Sequence, residues 1–74
     1  MNLIEWKVKV MSISMKAARV NACLTLEEAA KELGIAKNTL ISYENGKVSP
    51  RIETAKKMAD LYAIPMGDIN FFAL

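Results

Sequence analysis

The sequence predicts an all-α domain of four to five helices behind a short strand-like extension, and three observations predict it. From Ser14 onward the apolar residues recur at three- and four-residue intervals. Residues that start or stop helices (Thr25, Gly34, Asn45-Gly46, Pro50 and Pro65) punctuate that pattern. Period-two alternation is confined to the beginning of the chain. The expected division is therefore an extension over residues 1–13 and one domain over 14–74, because 74 residues are too few to close two hydrophobic cores.

In the extension, Ile4, Trp6, Val8 and Val10 alternate with Glu5, Lys7 and Lys9, which reads as a strand over Leu3 to Met11. A helical reading competes, since Ile4, Val8, Met11, Met15, Ala18 and Ala22 also follow a 3.6-residue period. It leaves Trp6 and Val10 off the stripe and uses β-branched residues that suit a helix poorly. A lone strand cannot satisfy its own backbone, so this one needs a pairing partner.

The first helix is expected over Met15 to Ala22 with Ser14 as its cap. Thr25-Leu26-Glu27-Glu28 has the capping-box spacing, in which Thr25 and Glu28 satisfy each other's backbone donors. The second helix then turns Ala29, Ala30 and Leu33 inward and stops at Gly34 in a left-handed cap. Ala36 to Glu44 reads as a third helix with Leu40 and Tyr43 inward, ended by Asn45-Gly46, both of which tolerate positive φ. After Pro50 a fourth helix carries the stripe Ile52, Ala55, Met58, Ala59 and Tyr62. Beyond Pro65, the spacing of Met66, Ile69 and Phe72 fits a short last helix closing the core.

Composition removes several classes of function. The chain is 53% hydrophobic and 24% charged, a globular profile, and no apolar run approaches the roughly 20 residues that span a bilayer. Met1 is followed by Asn, Leu, Ile and Glu rather than by a basic segment and an apolar stretch, so the expected compartment is the cytoplasm. Cys23 is the only cysteine and there is no histidine, which leaves no intramolecular disulfide, no thiolate cage and no imidazole base. No metal site, cofactor or catalytic group is expected, and an enzyme is the reading least supported. Cys23 reads as a small, buried or half-buried residue. Net charge is only +2, but Lys37, Lys47, Arg51, Lys56 and Lys57 crowd the second half.

Two short helices joined by a tight glycine turn form a helix-turn-helix unit, and each residue that the unit needs is present. Ala30 gives the small side chain required where the helices cross, Gly34 follows four residues later, and Leu33, Ile35, Leu40 and Tyr43 supply apolar anchors. The stretch from Met15 through Leu33-Gly34-Ile35, Tyr43-Glu44-Asn45-Gly46-Lys47 and Pro50 resembles the repressor/Cro-type helix-turn-helix domains of phages and bacteria. The resemblance covers about residues 14 to 72 and is carried most specifically by the Tyr43–Lys47 run with its following proline.

That resemblance implies that the helix from Ala36 to Glu44 enters the DNA major groove. Its base-contacting positions here are Lys37, Asn38, Ile41 and Ser42. Lys37 suits guanine O6 and N7, Asn38 suits adenine, and Ile41 suits a thymine methyl. Thr25, Thr39, Asn45, Lys47 and Arg51 fall where the DNA backbone would be held. Without the motif around them, Lys37, Asn38 and Ser42 would read as an ordinary solvated face. Four positions depart from the family pattern: Leu26 in place of a frequent glutamine, Ala36 in place of Ser or Thr, Cys23 in place of a glycine, and Ile41 on a polar face.

Two functional classes follow. The first is a sequence-specific transcription regulator acting on double-stranded DNA, as a homodimer on a palindrome, because one recognition helix reads too few base pairs to find a site alone. Its candidate dimer surfaces are the strand at 3–11 and the apolar tail Ile69 to Leu74. The second is a modulator or antirepressor using the same fold to bind another helix-turn-helix repressor, motivated by an apolar patch of Leu26 and Ile41.

Overall fold

The computed structural model describes residues 12–71. It contains β1 (Ile13–Ser14), α1 (Met15–Asn21), α2 (Leu26–Leu33), α3 (Lys37–Glu44), α4 (Ile52–Tyr62), one 3-10 turn (Met66–Asp68) and β2 (Ile69–Asn70). The strand expected over Leu3 to Met11 lies outside the described residues, as does Phe72.

The start signals act as the sequence implies. Ser14 Oγ accepts from the Ala17 amide at 3.0 Å and opens α1. At α2 the Glu28 amide donates to Thr25 Oγ1 at 3.1 Å while the Thr25 amide donates to Glu28 Oε1 at 2.9 Å, a complete capping box. The hydrogen bond from the Thr25 amide, and after it the Thr25 hydroxyl, hold the Glu28 carboxyl below its ordinary pKa. Ala36 caps α3 with no side-chain hydrogen bond, as its missing hydroxyl requires.

Helices α1 to α4 end in one geometry. A residue with positive φ follows the helix, and the next amide reaches back five residues: Leu24 to Arg19 O, Ile35 to Ala30 O, Lys47 to Ser42 O and Ile64 to Ala59 O, at 3.0–3.2 Å. Gly34 and Gly46 fill two of these positions without steric cost. Cys23 (φ 61°) and Ala63 (φ 56°) fill the other two, each with a Cβ that disfavours the left-handed region. The departure at Cys23 thus falls on a strained turn, whereas Ala63 gave no sequence warning. Asn45 stays right-handed at φ −84°, leaving the positive φ to Gly46 alone.

α2 packs against both α3 and α4, and α1 closes over α3 and α4. The core comprises Met15, Ala18, Ala29, Ala30, Leu33, Leu40, Met58, Ala59, Tyr62 and Ile69, with Ile35 and Tyr43 half-buried against it. Ala18, Ala29 and Ala30 are buried and add little bulk where the helices pack.

Three expectations need correction. Ile52, placed on the inward stripe, is 60% exposed because it begins α4, one turn before the first buried residue, Ala55. Cys23 is exposed rather than half-buried. The expected last helix is a single 3-10 turn followed by β2, which pairs parallel with β1 in the register Ile13 to Ile69 and Ser14 to Asn70. Extending the chain there gives Ile13 a ladder partner and buries Ile69. Ile69 is therefore core and leaves the tail expected as a dimer surface.

Candidate nucleic-acid interface

At about 3.6 residues per turn, positions 37, 38, 41, 42 and 45 fall on one side of α3, and 40, 43 and 44 on the other. Burial follows that division. Leu40 is fully buried and pins the helix to the core, whereas Lys37, Asn38 and Asn45 are exposed. Ile41 and Ser42 are half-buried further along the same face, and Thr39 is half-buried on its flank. The four residues expected at base edges therefore share one side of one helix.

The start of α2 lies beside the start of α3. Lys37 Nζ stands 3.5 Å from Glu27 Oε1, an ion pair between the first turns of the two helices. Thr25, which caps α2, is exposed just before Glu27. Its hydroxyl oxygen accepts from the Glu28 amide in the capping box. Lys47 and Arg51 are exposed in the segment after α3. Leu26 is half-buried and packs against the core, so it contributes less to an apolar patch than its position suggested.

The orientation of α3 depends on a buried ion pair that the sequence reading missed. Arg19 of α1 donates from Nε to Glu44 Oε2 at 2.8 Å and from Nη2 to Glu44 Oε1 at 3.2 Å. Its Nη1 donates to the Leu24 carbonyl at 2.9 Å. The two side chains are only 9% and 6% exposed, so both carboxylate oxygens are satisfied inside the protein. The hydrogen bond that Arg19 donates to Glu44, aided by that residue's charge, raises the Arg19 pKa despite burial. A signal existed: Arg19 shares an inward stripe with Met15 and Ala18, and Glu44 follows Leu40 by one turn. Opposite charges on two apolar stripes have nowhere to go except toward each other.

Tyr62 lies close enough to feel both charges. Its hydroxyl is buried with no hydrogen-bond partner among the described residues. Burial first, then the Glu44 charge, pushes its pKa up to about 12.

Among the described residues no group of His, Cys, Asp or Glu could hold a metal ion, and no helix is long and apolar enough to cross a membrane. An open apolar groove of about 360 Å³ lies between the start of α4 and the end of the fold, lined by Pro50, Ile52, Ala55, Met66 and Phe71.

A helix-turn-helix family model matches residues 15–69, from the start of α1 to the first residue of β2. The chain is 37% identical over 60 residues to the cryptic phage CTXphi transcriptional repressor RstR of Vibrio cholerae, covering 81% of this chain but about half (54%) of that protein. It is 36% identical over 62 residues to an uncharacterised helix-turn-helix transcriptional regulator of Methanocaldococcus jannaschii, covering 84% of this chain and 94% of that one. A similar regulator of Archaeoglobus fulgidus is 32% identical over 62 residues, covering 84% and 87%. No solved structure matches. These proteins are regulators and not enzymes, in keeping with the lack of catalytic groups expected from the sequence. The chain belongs to the repressor/Cro-type helix-turn-helix family of DNA-binding transcription regulators.

Proposed function

We propose that the chain regulates transcription by reading a specific operator with α3 in the major groove. Lys37, Asn38, Ile41 and Ser42 meet base edges, while Thr25, Thr39, Asn45, Lys47 and Arg51 hold the phosphates. The observation that carries this reading is that Lys37, Asn38, Ile41 and Ser42 lie on one side of α3, away from buried Leu40 and beside the capped start of α2. Repression is the output supported by the likeness to a named phage repressor. A homodimer on a palindrome, with half-sites about 34–36 Å apart, gives one short helix adequate specificity. The groove between Pro50 and Phe71, with exposed Ile52 at its edge, supplies apolar surface for such pairing.

The test is selection of the purified protein against a random double-stranded DNA pool at about 0.15 M salt, where weak phosphate binding is screened. Enrichment of a short palindrome that Lys37→Ala or Asn38→Ala abolishes is the expected result. An unenriched pool with folded protein overturns the reading and turns attention to a repressor partner. That competing reading is weakened by Leu26, which packs inward rather than forming an open patch with Ile41.

A further inference from the structure

Glu27 takes no part in the DNA contacts proposed above, yet it stands beside Lys37, which does. It is the second residue of α2, and its side chain is 70% exposed. The capping box uses Glu28 and leaves Glu27 outside it. Among the described residues Glu27 approaches Lys37 Nζ at 3.5 Å, and Lys37 is itself 48% exposed. An ion pair this open contributes little to folding, because solvent screens it and two mobile side chains must be held. A carboxylate beside phosphates also weakens DNA binding unless it meets a donor. In the major groove the base-edge donors are the amino groups of cytosine N4 and adenine N6.

The pairing with Lys37 decides between these. Lys37 offers donors where guanine presents two adjacent acceptors, N7 and O6. On the same base pair, cytosine N4 presents its donor next to guanine O6. A cation and a carboxylate held side by side match that edge in sign and order. We infer that Glu27 and Lys37 together read a G·C pair, Lys37 from guanine and Glu27 from the cytosine amino group. Part of the specificity then resides in the helix that precedes the recognition helix. This rests on the DNA-binding reading above.

The experiment compares motifs selected by the wild-type protein, Glu27→Ala, Glu27→Gln and Lys37→Ala, followed by affinities for the selected site with one pair exchanged at a time. The wild-type motif should contain a G·C pair that Lys37→Ala no longer selects. Glu27→Ala should lose about tenfold of the discrimination for G·C over A·T at that pair. Glu27→Gln, whose amide suits adenine, should move the preference there toward A·T. Both Glu27 variants should bind non-specific DNA more tightly, and unchanged thermal midpoints would show that folding is not the cause. If both kept the wild-type motif at every position while Lys37→Ala and Asn38→Ala abolished it, the inference would fall and the DNA reading would stand. A wild-type protein that selects no motif takes both down.

Discussion

Cutting the Arg19–Glu44 pair tests how α3 is held. Glu44→Leu leaves a guanidinium with 9% exposed side chain facing apolar neighbours, keeping one of its three hydrogen bonds, that to the Leu24 carbonyl. Two charge-assisted bonds are lost, each worth about 1.5–3 kcal/mol, and breaking a buried pair from one side generally costs about 3–5 kcal/mol. The pair is not wholly sealed from water, so about 3 kcal/mol is expected. A chain of 74 residues has about 4–11 kcal/mol of stability in all. The loss corresponds to a melting temperature lower by about 12–24 °C. Arg19→Met should be similarly damaging. The double variant Arg19→Met/Glu44→Leu should recover to within about 1 kcal/mol of wild type, because desolvation of the two charges offsets most of their attraction. Urea unfolding followed by circular dichroism at pH 7, on all four proteins, completes the cycle. Single variants within 0.5 kcal/mol of wild type, or a double variant as unstable as the sum of the singles, would refute the reasoning.

Three further outcomes follow from the caps and the buried phenol. Cys23→Gly and Ala63→Gly should each raise stability by about 0.5–1 kcal/mol in denaturant melts, relief of left-handed strain exceeding the added freedom of the unfolded chain. Tyr62→Phe removes a buried hydroxyl that has no partner among the described residues and should be neutral or stabilising at pH 7. Because the folded tyrosine holds its proton up to about 12 against 10.0 unfolded, its contribution is intact below pH 10 and lost as pH rises from there. The variant should therefore unfold less readily than wild type in an alkaline titration. The depressed Glu28 carboxyl contributes stability that is present above pH 4.5 and lost as pH falls through its folded value. Thr25→Ala should flatten that acid dependence and cost about 1 kcal/mol at pH 7, read by thermal melts at pH 3 and 7.

The helices were legible because their boundaries rest on local chemistry. Ser14, the Thr25–Glu28 box, Gly34 and Gly46 act on amides and carbonyls within five residues, and so does the spacing that sets one face of α3 toward solvent. What escaped the sequence was non-local. Arg19 and Glu44 are 25 positions apart, and their pairing depends on how α1 crosses α3. Ile52 has the spacing of a core residue, but it begins α4 at the rim of an open groove and stays 60% exposed among the described residues. Ile69 fits a helical stripe as well as a strand, and only the presence of Ile13 across the ladder selects the extended form. Glu27 lacked meaning until Lys37 was placed beside it.

The parallel ladder between β1 and β2 also bears on the order of events during synthesis. Its paired residues, Ile13 and Ile69, are 56 positions apart, whereas the capping contacts close within five. A chain emerging from the ribosome can form α1, the helix-turn-helix pair and α4 while Ile13 still has no ladder partner. Only when Asn70 emerges can both backbone ends be satisfied and Ile69 enter the core. Nascent chains stalled before that point should hold helices yet remain open to proteolysis at Ile13, and release of a few more residues should protect them.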